Sequence, residues 1–270
     1  MISLSDLKNK IIIMGVLNVT PDSFSDGGQF IHPTSAIQQV KKMLVDGADI
    51  IDIGGESTRP GAKDVSVEDE LDRVIPVIKA IREFSDCLIS VDTSKAVVMR
   101  EAVSAGANII NDVRALQEEH ALKTVAELDV PVCLMHMQGQ PRSMQTQPAY
   151  NDVVSEVKEF LQQRIHVCLD AGIKDENIII DPGFGFGKSL EHNLELFNAL
   201  DQFVEMKYTV LVGVSRKTMI GRILNDAPVE ERITASAVMA ALAAQHGVQI
   251  LRVHDVKATA DSIAVVNSLK

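Results

Sequence analysis

Short apolar runs that end at a polar residue recur along the whole chain. The runs are rich in Ile, Val and Leu and have no polar face, which is typical of parallel strands buried on both faces. In such folds the polar residues at the carboxyl ends of the strands usually carry the chemistry. The runs lie at 11–17, 50–51, 88–91, 109–110, 132–135, 178–180, 210–214 and 250–251. They end at Asn18, Asp52, Asp92, Asn111, His136, Asp181, Ser215 to Lys217 and Arg252 to His254.

Segments with apolar residues at three- and four-residue intervals lie between these runs and predict helices. Ser66, followed by three acidic residues at 68–70, is typical of an N-cap with an acidic first turn. Strands that alternate with helices in this number predict an α/β fold, a (β/α)8 TIM barrel, with an open doubly wound sheet as the alternative. The predicted helices are 34–46, 66–84, 95–105, 119–128, 150–171, 190–200, 230–246 and 255–268.

The chain has 270 residues, 46% of them hydrophobic, and no Pro/Gly/Ser-rich linker interrupts the alternation. We therefore expect a single barrel domain over residues 1–270. Three connections that follow strands, 18–33, 54–65 and 138–149, are longer than a barrel needs. Surplus loop at this end of a barrel favours a lid or a binding loop, and the alternative is a tolerated insertion.

Charge and composition exclude several classes of partner. The net charge of -11 disfavours nucleic acid, which needs a basic surface. The amino terminus lacks the apolar core of a secretion signal, and the longest apolar stretches are too short to span a bilayer, so we expect a cytoplasmic protein with no membrane contact. Cys87, Cys133 and Cys168 are widely spaced, which favours incidental buried thiols over disulfides or zinc ligands.

The segment 233–246 is rich in Ala and apolar on nearly all sides. Such a helix packs against more than one surface. It is either a homodimer contact, which we expect, or a well-buried helix of the barrel.

Several familiar motifs are incomplete. The segment 183–189 looks like a phosphate loop, but the Walker pattern needs Gly where Pro182 stands, and the dinucleotide fingerprint fails at its third glycine. The residues around Ser215 lack the second glycine of a nucleophile elbow. Met135, His136 and Met137 lack a second ligand pair for a metal. The sequence therefore indicates neither a nucleotide cofactor nor a serine nucleophile.

Four polar residues at strand ends form a candidate binding set. Asp92, Asn111 and Asp181 offer carboxylate and amide groups, and Lys217 offers an ammonium. Together they suit a flat heterocycle whose edge carries N–H donors and a carbonyl acceptor. For any one Asp the alternative is a helix cap or an ion pair.

The last strand ends in a second candidate site. Arg252 and His254 precede a helix that is predicted to begin near Asp255. Two such side chains beside a helix amino terminus are typical of a phosphate site in a late barrel loop. The alternative is a surface Arg next to a capped helix.

With these features in view, the chain resembles the bacterial dihydropteroate synthases. The resemblance rests on a long motif at 13–28, IMGVLNVTPDSFSDGG, and on shorter motifs from the first strand to the last. These are 52–61 (DIGGESTRPG), 90–93 (SVDT), 110–112 (IND), 181–188 (DPGFGFGK), 215–217 (SRK) and 252–255 (RVHD).

The resemblance implies that 6-hydroxymethyl-7,8-dihydropterin diphosphate and 4-aminobenzoate form 7,8-dihydropteroate and diphosphate, with the leaving group departing first. It implies a pterin pocket of Asp92, Asn111, Met135, Asp181, Gly185, Lys217 and Arg252. It implies a diphosphate site of Asn18, Arg252 and His254, with Mg2+ held by Asn18. It implies a 4-aminobenzoate pocket of Thr58, Arg59, Pro60, Phe186, Lys217 and Thr218. The catalytic residues that it implies are Asp92, Asp181, Lys217, Arg252 and His254, together with Asp26 and Arg59 on the loops. Thr218 stands where many relatives have Ser.

Two competing hypotheses remain at this point. A barrel that transfers methyl groups from reduced folate to a corrinoid shares the pterin pocket, but it does not need the 58–60 segment or the anion site. A non-catalytic pterin-binding paralogue is expected to have lost loop residues such as Asn18, Asp26 or Arg59, and all three are present.

Overall fold

A computed structural model describes residues 10–20, 33–57, 64–139, 144–145 and 147–269. Within these residues eight parallel strands follow one another around a closed barrel, and β8 pairs with β1 to complete it. The strands are β1 (Ile12–Asn18), β2 (Ile50–Gly54), β3 (Leu88–Asp92), β4 (Ile109–Asp112), β5 (Val132–Met135), β6 (Ile178–Asp181), β7 (Thr209–Val212) and β8 (Ile250–Val253). The predicted TIM barrel is therefore confirmed.

Helices fill the connections between the strands. They are α1 (Pro33–Val45), α2 (Val67–Arg82), α3 (Ala96–Ala105), α4 (Ala121–Leu128), α5 (Val153–Asp170), α6 (Leu190–Asn198), α7 (Leu200–Val204), α8 (Thr218–Ile223), α9 (Ile233–Gln245) and α10 (Val256–Ser268). Ser66 is the predicted N-cap, since its side chain accepts a hydrogen bond from the Asp69 N–H. Among the described helices, none combines the length and the apolar character that crossing a membrane requires.

Most helix ends differ from the predictions by one to three residues, and three larger differences stand out. The predicted helix 190–200 is two helices, α6 and α7, which meet at Ala199. The predicted helix 230–246 begins with a short 3-10 turn, Val229–Arg232, before α9. The sequence pattern missed α8 altogether, because six residues are too few to show a helical period.

The core has two layers. Inside the barrel, one apolar cluster runs across the strands, and it includes Met14, Leu88 and Cys133. A larger cluster lies between the strands and the surrounding helices. Strand register brings Gly54, Asp92 and Asn111 side by side at the carboxyl ends of β2, β3 and β4, so the polar ends of the strands form one mouth above the apolar interior.

Candidate active site

Arg252 joins two strands across the mouth of the barrel. Its Nε donates to Asp52 Oδ2 and its Nη2 donates to Asp92 Oδ2, both at 2.7 Å. Asp52 is fully buried, and Asp92 is 8% exposed. Burial raises the pKa of Asp92 to about 7; the Arg252 charge opposes that rise and the Asp52 charge adds to it. Burial alone would lower the pKa of Arg252, but the two carboxylates raise it above its usual value, so Arg252 stays charged.

Asp52 is a site residue that the sequence analysis did not include. Asn111 Nδ2 lies 3.5 Å and 3.4 Å from the two Asp52 carboxylate oxygens, so Asp52 holds both Arg252 and Asn111. The signal was present, because Asp52 ends an apolar run like the other strand-end residues.

Asn18 lies beside Asp92 above Gly54. A Cβ atom placed on Gly54 would lie 3.8 Å from both Asn18 Oδ1 and Asp92 Oδ2. The absence of a side chain at this position leaves these two groups facing the same space. Asn18 is half-buried at the end of β1, so its amide remains reachable from the mouth.

Asp181 lies under the loop that follows β6. Its carboxylate is 6% exposed and accepts a hydrogen bond from the Gly183 N–H at 2.8 Å. Gly183 has a φ of 72°, and a Cβ there would lie 1.8 Å from the His136 carbonyl oxygen, so only glycine fits. Burial raises the pKa of Asp181, and the Lys217 charge opposes that rise.

Lys217 lies on the other side of the same loop. Its Nζ donates to the Phe184 carbonyl oxygen and lies 4.4 Å from the centre of the Phe186 ring. Gly185, with a φ of 78°, would place a Cβ 3.2 Å from Lys217 Cδ. Burial lowers the pKa of Lys217 to about 8, although the Asp181 charge opposes this.

His254 and Asp255 form the edge of the mouth after β8. The His254 N–H donates to Ser215 Oγ at 3.1 Å, and His254 Nδ1 lies 3.2 Å from the same oxygen. Asp255 precedes α10 but does not cap it, because its carboxylate pairs with Arg216 Nε and Nη2 at 2.8 Å and 2.5 Å. Arg216, which lies between Ser215 and Lys217, has a φ of 59°. This left-handed backbone conformation is uncommon for a residue other than glycine.

The structure brings most of the predicted site residues to this mouth: Asn18, Asp92, Asn111, Asp181, Lys217, Arg252 and His254. Met135 ends β5, pairs in register with Asp181 and is buried. Gly185 and Phe186 lie in the loop over Lys217, whereas Thr218 is exposed at the start of α8. Asp26, Thr58, Arg59 and Pro60 lie outside the described residues.

One further buried side chain near the site, that of Lys188, was not predicted to belong to it. Lys188, considered in the sequence only as a Walker lysine, is 3% exposed and contacts His136 behind the loop that carries Gly183 and Gly185. Its presence in the 181–188 motif was the available signal.

The side chains at the barrel mouth offer hydrogen-bond acceptors and donors to one flat ligand. Buried carboxylates at Asp92 and Asp181 can accept hydrogen bonds, and Lys217 and Arg252 can meet carbonyl or anionic oxygen. Among the described residues no group of three or more His, Cys, Asp or Glu side chains is arranged to hold a metal ion.

Comparison with known proteins agrees with this geometry. The model of the pterin binding enzyme family matches residues 14–254. The dihydropteroate synthase of Haemophilus influenzae is 59% identical over 253 residues, which are 94% of this chain and 92% of that protein. The Yersinia pestis dihydropteroate synthase, solved in a sulfonamide drug complex, superposes with a TM-score of 0.94 at 48% identity and covers 100% of this chain and 98% of its own.

The Xanthomonas albilineans dihydropteroate synthase has been solved with each of two ligands. The structure with 4-aminobenzoic acid has a TM-score of 0.92 at 48% identity and covers 97% of this chain and 93% of that one. The structure with 7,8-dihydropteroate has a TM-score of 0.88 at 44% identity, with 97% and 94% covered. The chain belongs to the pterin binding enzyme family and, within it, to the dihydropteroate synthases.

Proposed function

We propose that this chain condenses 6-hydroxymethyl-7,8-dihydropterin diphosphate with 4-aminobenzoate to give 7,8-dihydropteroate and diphosphate. The observation that carries the proposal is the buried bridge from Arg252 to Asp52 and Asp92 at the barrel mouth, with Asp181 and Lys217 in the same mouth. This set offers both donors and acceptors to a pterin edge. A relative has been solved with 4-aminobenzoic acid, the second substrate of this reaction, and with 7,8-dihydropteroate, its product.

The pterin lies against the carboxylates. Asp92 and Asp181 accept hydrogen bonds from its N–H groups, and Lys217 and Asn111 donate to its carbonyl and ring nitrogen atoms. Met135 and Gly185 contribute the wall of the pocket. Because these polar groups are buried, each one that lacks its partner weakens binding, which makes the pocket selective for the pterin edge.

The diphosphate lies toward Asn18, Arg252 and His254. The donor set fits Mg2+, because this ion is commonly held by one or two protein oxygen atoms, by substrate phosphates and by water. Asn18 Oδ1 would be its protein ligand, and the ion would supply positive charge to the departing diphosphate. Arg252 and His254 hold the diphosphate in place and stabilise the negative charge that develops on it.

The chain's residues favour departure of the diphosphate before the amine attacks. The pterin ring can delocalise the positive charge on its CH2 carbon, and the nearby carboxylates of Asp92 and Asp181 stabilise that charge. The amine of 4-aminobenzoate then attacks the carbon without help from a nucleophilic side chain. Phe186, Lys217 and Thr218 form the described part of the second pocket, and a sulfonamide would occupy the same position.

A purified-protein assay tests the function. With pterin diphosphate, Mg2+ and 4-aminobenzoate present, we expect amine-dependent diphosphate release and formation of dihydropteroate, both lost when a chelator removes Mg2+. Asp181→Ala should weaken pterin diphosphate binding in calorimetry by about tenfold or more, because it removes a charged acceptor. Release without dihydropteroate, or wild-type affinity in Asp181→Ala, would contradict the proposal.

The competing methyl-transfer hypothesis is not favoured by the relatives, which are dihydropteroate synthases. A corrinoid-dependent enzyme would bind methyltetrahydrofolate without using diphosphate. Equilibrium binding of both pterins in the same buffer separates the two functions.

We also propose a cytoplasmic homodimer that uses α9. Val238 and Leu242 on this helix are 52% and 43% exposed, so α9 is not fully covered by its own barrel. Sedimentation velocity should give a dimer for the wild type and a monomer for the double variant Val238→Glu and Leu242→Glu. A monomeric wild type would contradict the proposal.

A further inference from the structure

Lys188 is a buried lysine that the proposed reaction does not use directly. Its Nζ lies 2.8 Å from the Gly183 carbonyl oxygen, 2.9 Å from His136 Nδ1 and 3.1 Å from the Phe186 carbonyl oxygen. The side chain is 3% exposed. A fourth contact, to the His136 carbonyl oxygen, is longer at 3.5 Å. An ammonium has three N–H donors, so the three shorter contacts match its full capacity.

These contacts join two parts of the site. His136 follows directly after β5, whereas Gly183 and Phe186 belong to the loop between β6 and α6. The same loop gives its Gly183 N–H to Asp181 and its Phe184 carbonyl to Lys217. Lys188 therefore supports the backbone that positions both of these side chains.

The contacts alone allow two protonation states. In the first, an ammonium donates to an unprotonated His136 Nδ1; in the second, a neutral amine accepts from a protonated Nδ1. Burial lowers the pKa of Lys188 well below its usual value, and the Asp181 charge opposes that change. Burial, together with the Lys188 charge, lowers the pKa of His136 to about 2, so the ring is neutral in either state.

The charge balance of the mouth favours the ammonium. Four buried carboxylates, Asp52, Asp92, Asp112 and Asp181, lie at or near the ends of strands of the described barrel, and the cations Arg252 and Lys217 lie among them. Buried charge is costly unless opposite charge balances it. A charged Lys188 reduces the excess of negative charge in this set.

We propose that Lys188 is a positioning residue for the pterin reaction: its ammonium fastens the 183–187 loop to the end of β5 and stabilises the Asp181 carboxylate from behind. Its importance for turnover rests on the proposed function. Its charge and its effect on Asp181 do not.

Several groups act on Asp181 besides Lys188. Lys217 faces it from the start of α8 and Arg252 from β8, the Gly183 N–H donates to it, and the Cys133 thiol on β5 lies close enough to interact with its charge. All of them remain when Lys188 is replaced. Loss of the Lys188 charge alone should therefore raise the pKa of Asp181.

The decisive variant is Lys188→Met, which keeps the length of the side chain and removes its charge. Carbon NMR of protein labelled at the Asp carboxyl carbon, with the Asp181 signal assigned through Asp181→Asn, follows the titration directly. We expect the Asp181 midpoint to rise by about one pH unit and the affinity for pterin diphosphate at pH 8 to fall by about tenfold. An unchanged midpoint would overturn the proposal, even if stability and affinity fell.

Arg82→Met is the matched control. Arg82 is also a cation that donates to backbone carbonyl oxygens, those of Ser85, Cys87 and Gly106, but it lies at the opposite end of the barrel. It should lose stability and leave the Asp181 midpoint unchanged. An equal shift in both variants would mean that general loosening, not the Lys188 charge, moves Asp181, and would overturn the proposal.

A wild-type measurement covers the case in which Lys188→Met does not fold. Nitrogen NMR distinguishes an ammonium from an amine at Lys188 and shows whether His136 Nδ1 carries a proton. We expect an ammonium and an unprotonated Nδ1 at pH 7, whereas a neutral amine would overturn the proposal. Neither NMR experiment needs substrate or turnover, so failure of the proposed function would be seen separately.

Discussion

The two ends of the barrel use the same kinds of polar side chain for different purposes. Three strands show this directly. Each is preceded by one polar residue, and a second polar residue lies three positions further along the chain, within the strand. The pairs are Asp49 and Asp52 on β2, Asn108 and Asn111 on β4, and Gln249 and Arg252 on β8.

At the amino end, each side chain completes the backbone of the barrel. It accepts a hydrogen bond from a backbone N–H near the start of the preceding strand. The side-chain oxygen takes the place of the backbone carbonyl that would otherwise accept this bond. Asp49 accepts from Ile13 at 3.0 Å, Asn108 from Ile89 at 2.9 Å, and Gln249 from Val210 at 2.7 Å.

At the carboxyl end, the side chains contact one another instead. Arg252 donates to Asp52 and Asp92, and Asn111 lies against Asp52. These groups hold charge in position above the apolar interior, where a ligand can meet it. Position along the strand, more than residue type, therefore decides whether a buried polar side chain stabilises the fold or belongs to the site.

Arg252→Met should have the largest effect. It leaves the carboxylates of Asp52 and Asp92 buried with no cation between them, which should lower the free energy of unfolding by about 3–5 kcal/mol. It should also lower kcat/KM by about a hundredfold to a thousandfold, because we propose that the same side chain holds the diphosphate. Urea unfolding and steady-state kinetics measure the two effects.

Gln249→Met on the same strand is the control for Arg252→Met. It removes one neutral hydrogen bond, so the free energy of unfolding should fall by about 0.5–1.5 kcal/mol with kcat/KM unchanged. If Gln249→Met reduced activity as much as Arg252→Met, the two ends of β8 would not differ in purpose.

Asp52→Asn should have the next largest effect. The variant keeps the shape but leaves Arg252 with one carboxylate, and losing a charged hydrogen bond should cost about 1.5–3 kcal/mol. Because the Asp52 charge helps to raise the pKa of Asp92, that pKa should also move below about 7. Pterin affinity followed against pH measures this shift, and an unchanged acid midpoint would show that Asp52 does not act on Asp92.

The sequence predicted much of this mouth but not its internal contacts. Alternating strands and helices place Asp92, Asp181 and Lys217 at one end of a barrel, since all parallel strands end on the same face. The pattern does not say which neighbour each side chain contacts. Asp52 was therefore seen as the end of a strand but not recognised as the carboxylate that holds Arg252.

Local backbone geometry was also beyond the sequence pattern. Arg216 adopts a positive φ, which is uncommon for residues other than glycine. Nothing about an arginine in the sequence indicates this backbone conformation. Lys188 was set aside when the Walker pattern failed, because the role of a buried lysine depends on carbonyl groups that only the folded loop supplies. The roles of Asp26 and Arg59 stay predictions.

The pH dependence of pterin binding should have two limbs. Protonation of Asp92 removes its charge and turns one acceptor oxygen into a donor, so affinity should fall as the pH drops below its pKa of about 7. Lys217 has its full charge only below its pKa of about 8, so affinity should also fall as the pH rises above that value. Calorimetry across both limbs, corrected for the titration of the free pterin, should give a maximum between them. A flat profile would show that neither group titrates in this range.

Asp49→Asn should have the smallest effect, although it is the same chemical change as Asp52→Asn. The new amide oxygen can still accept from the Ile13 N–H, so among the described residues the variant loses the ion pair with Lys10, whose side chain is 49% exposed. The free energy of unfolding should change by less than about 1 kcal/mol, and kcat/KM should stay at the wild-type value. Since the residue type and the strand are identical in the two variants, a loss of activity in Asp49→Asn could not be assigned to the mouth. The proposed difference in purpose between the two ends of the barrel would then be contradicted on β2, where the two residues compared are both aspartates.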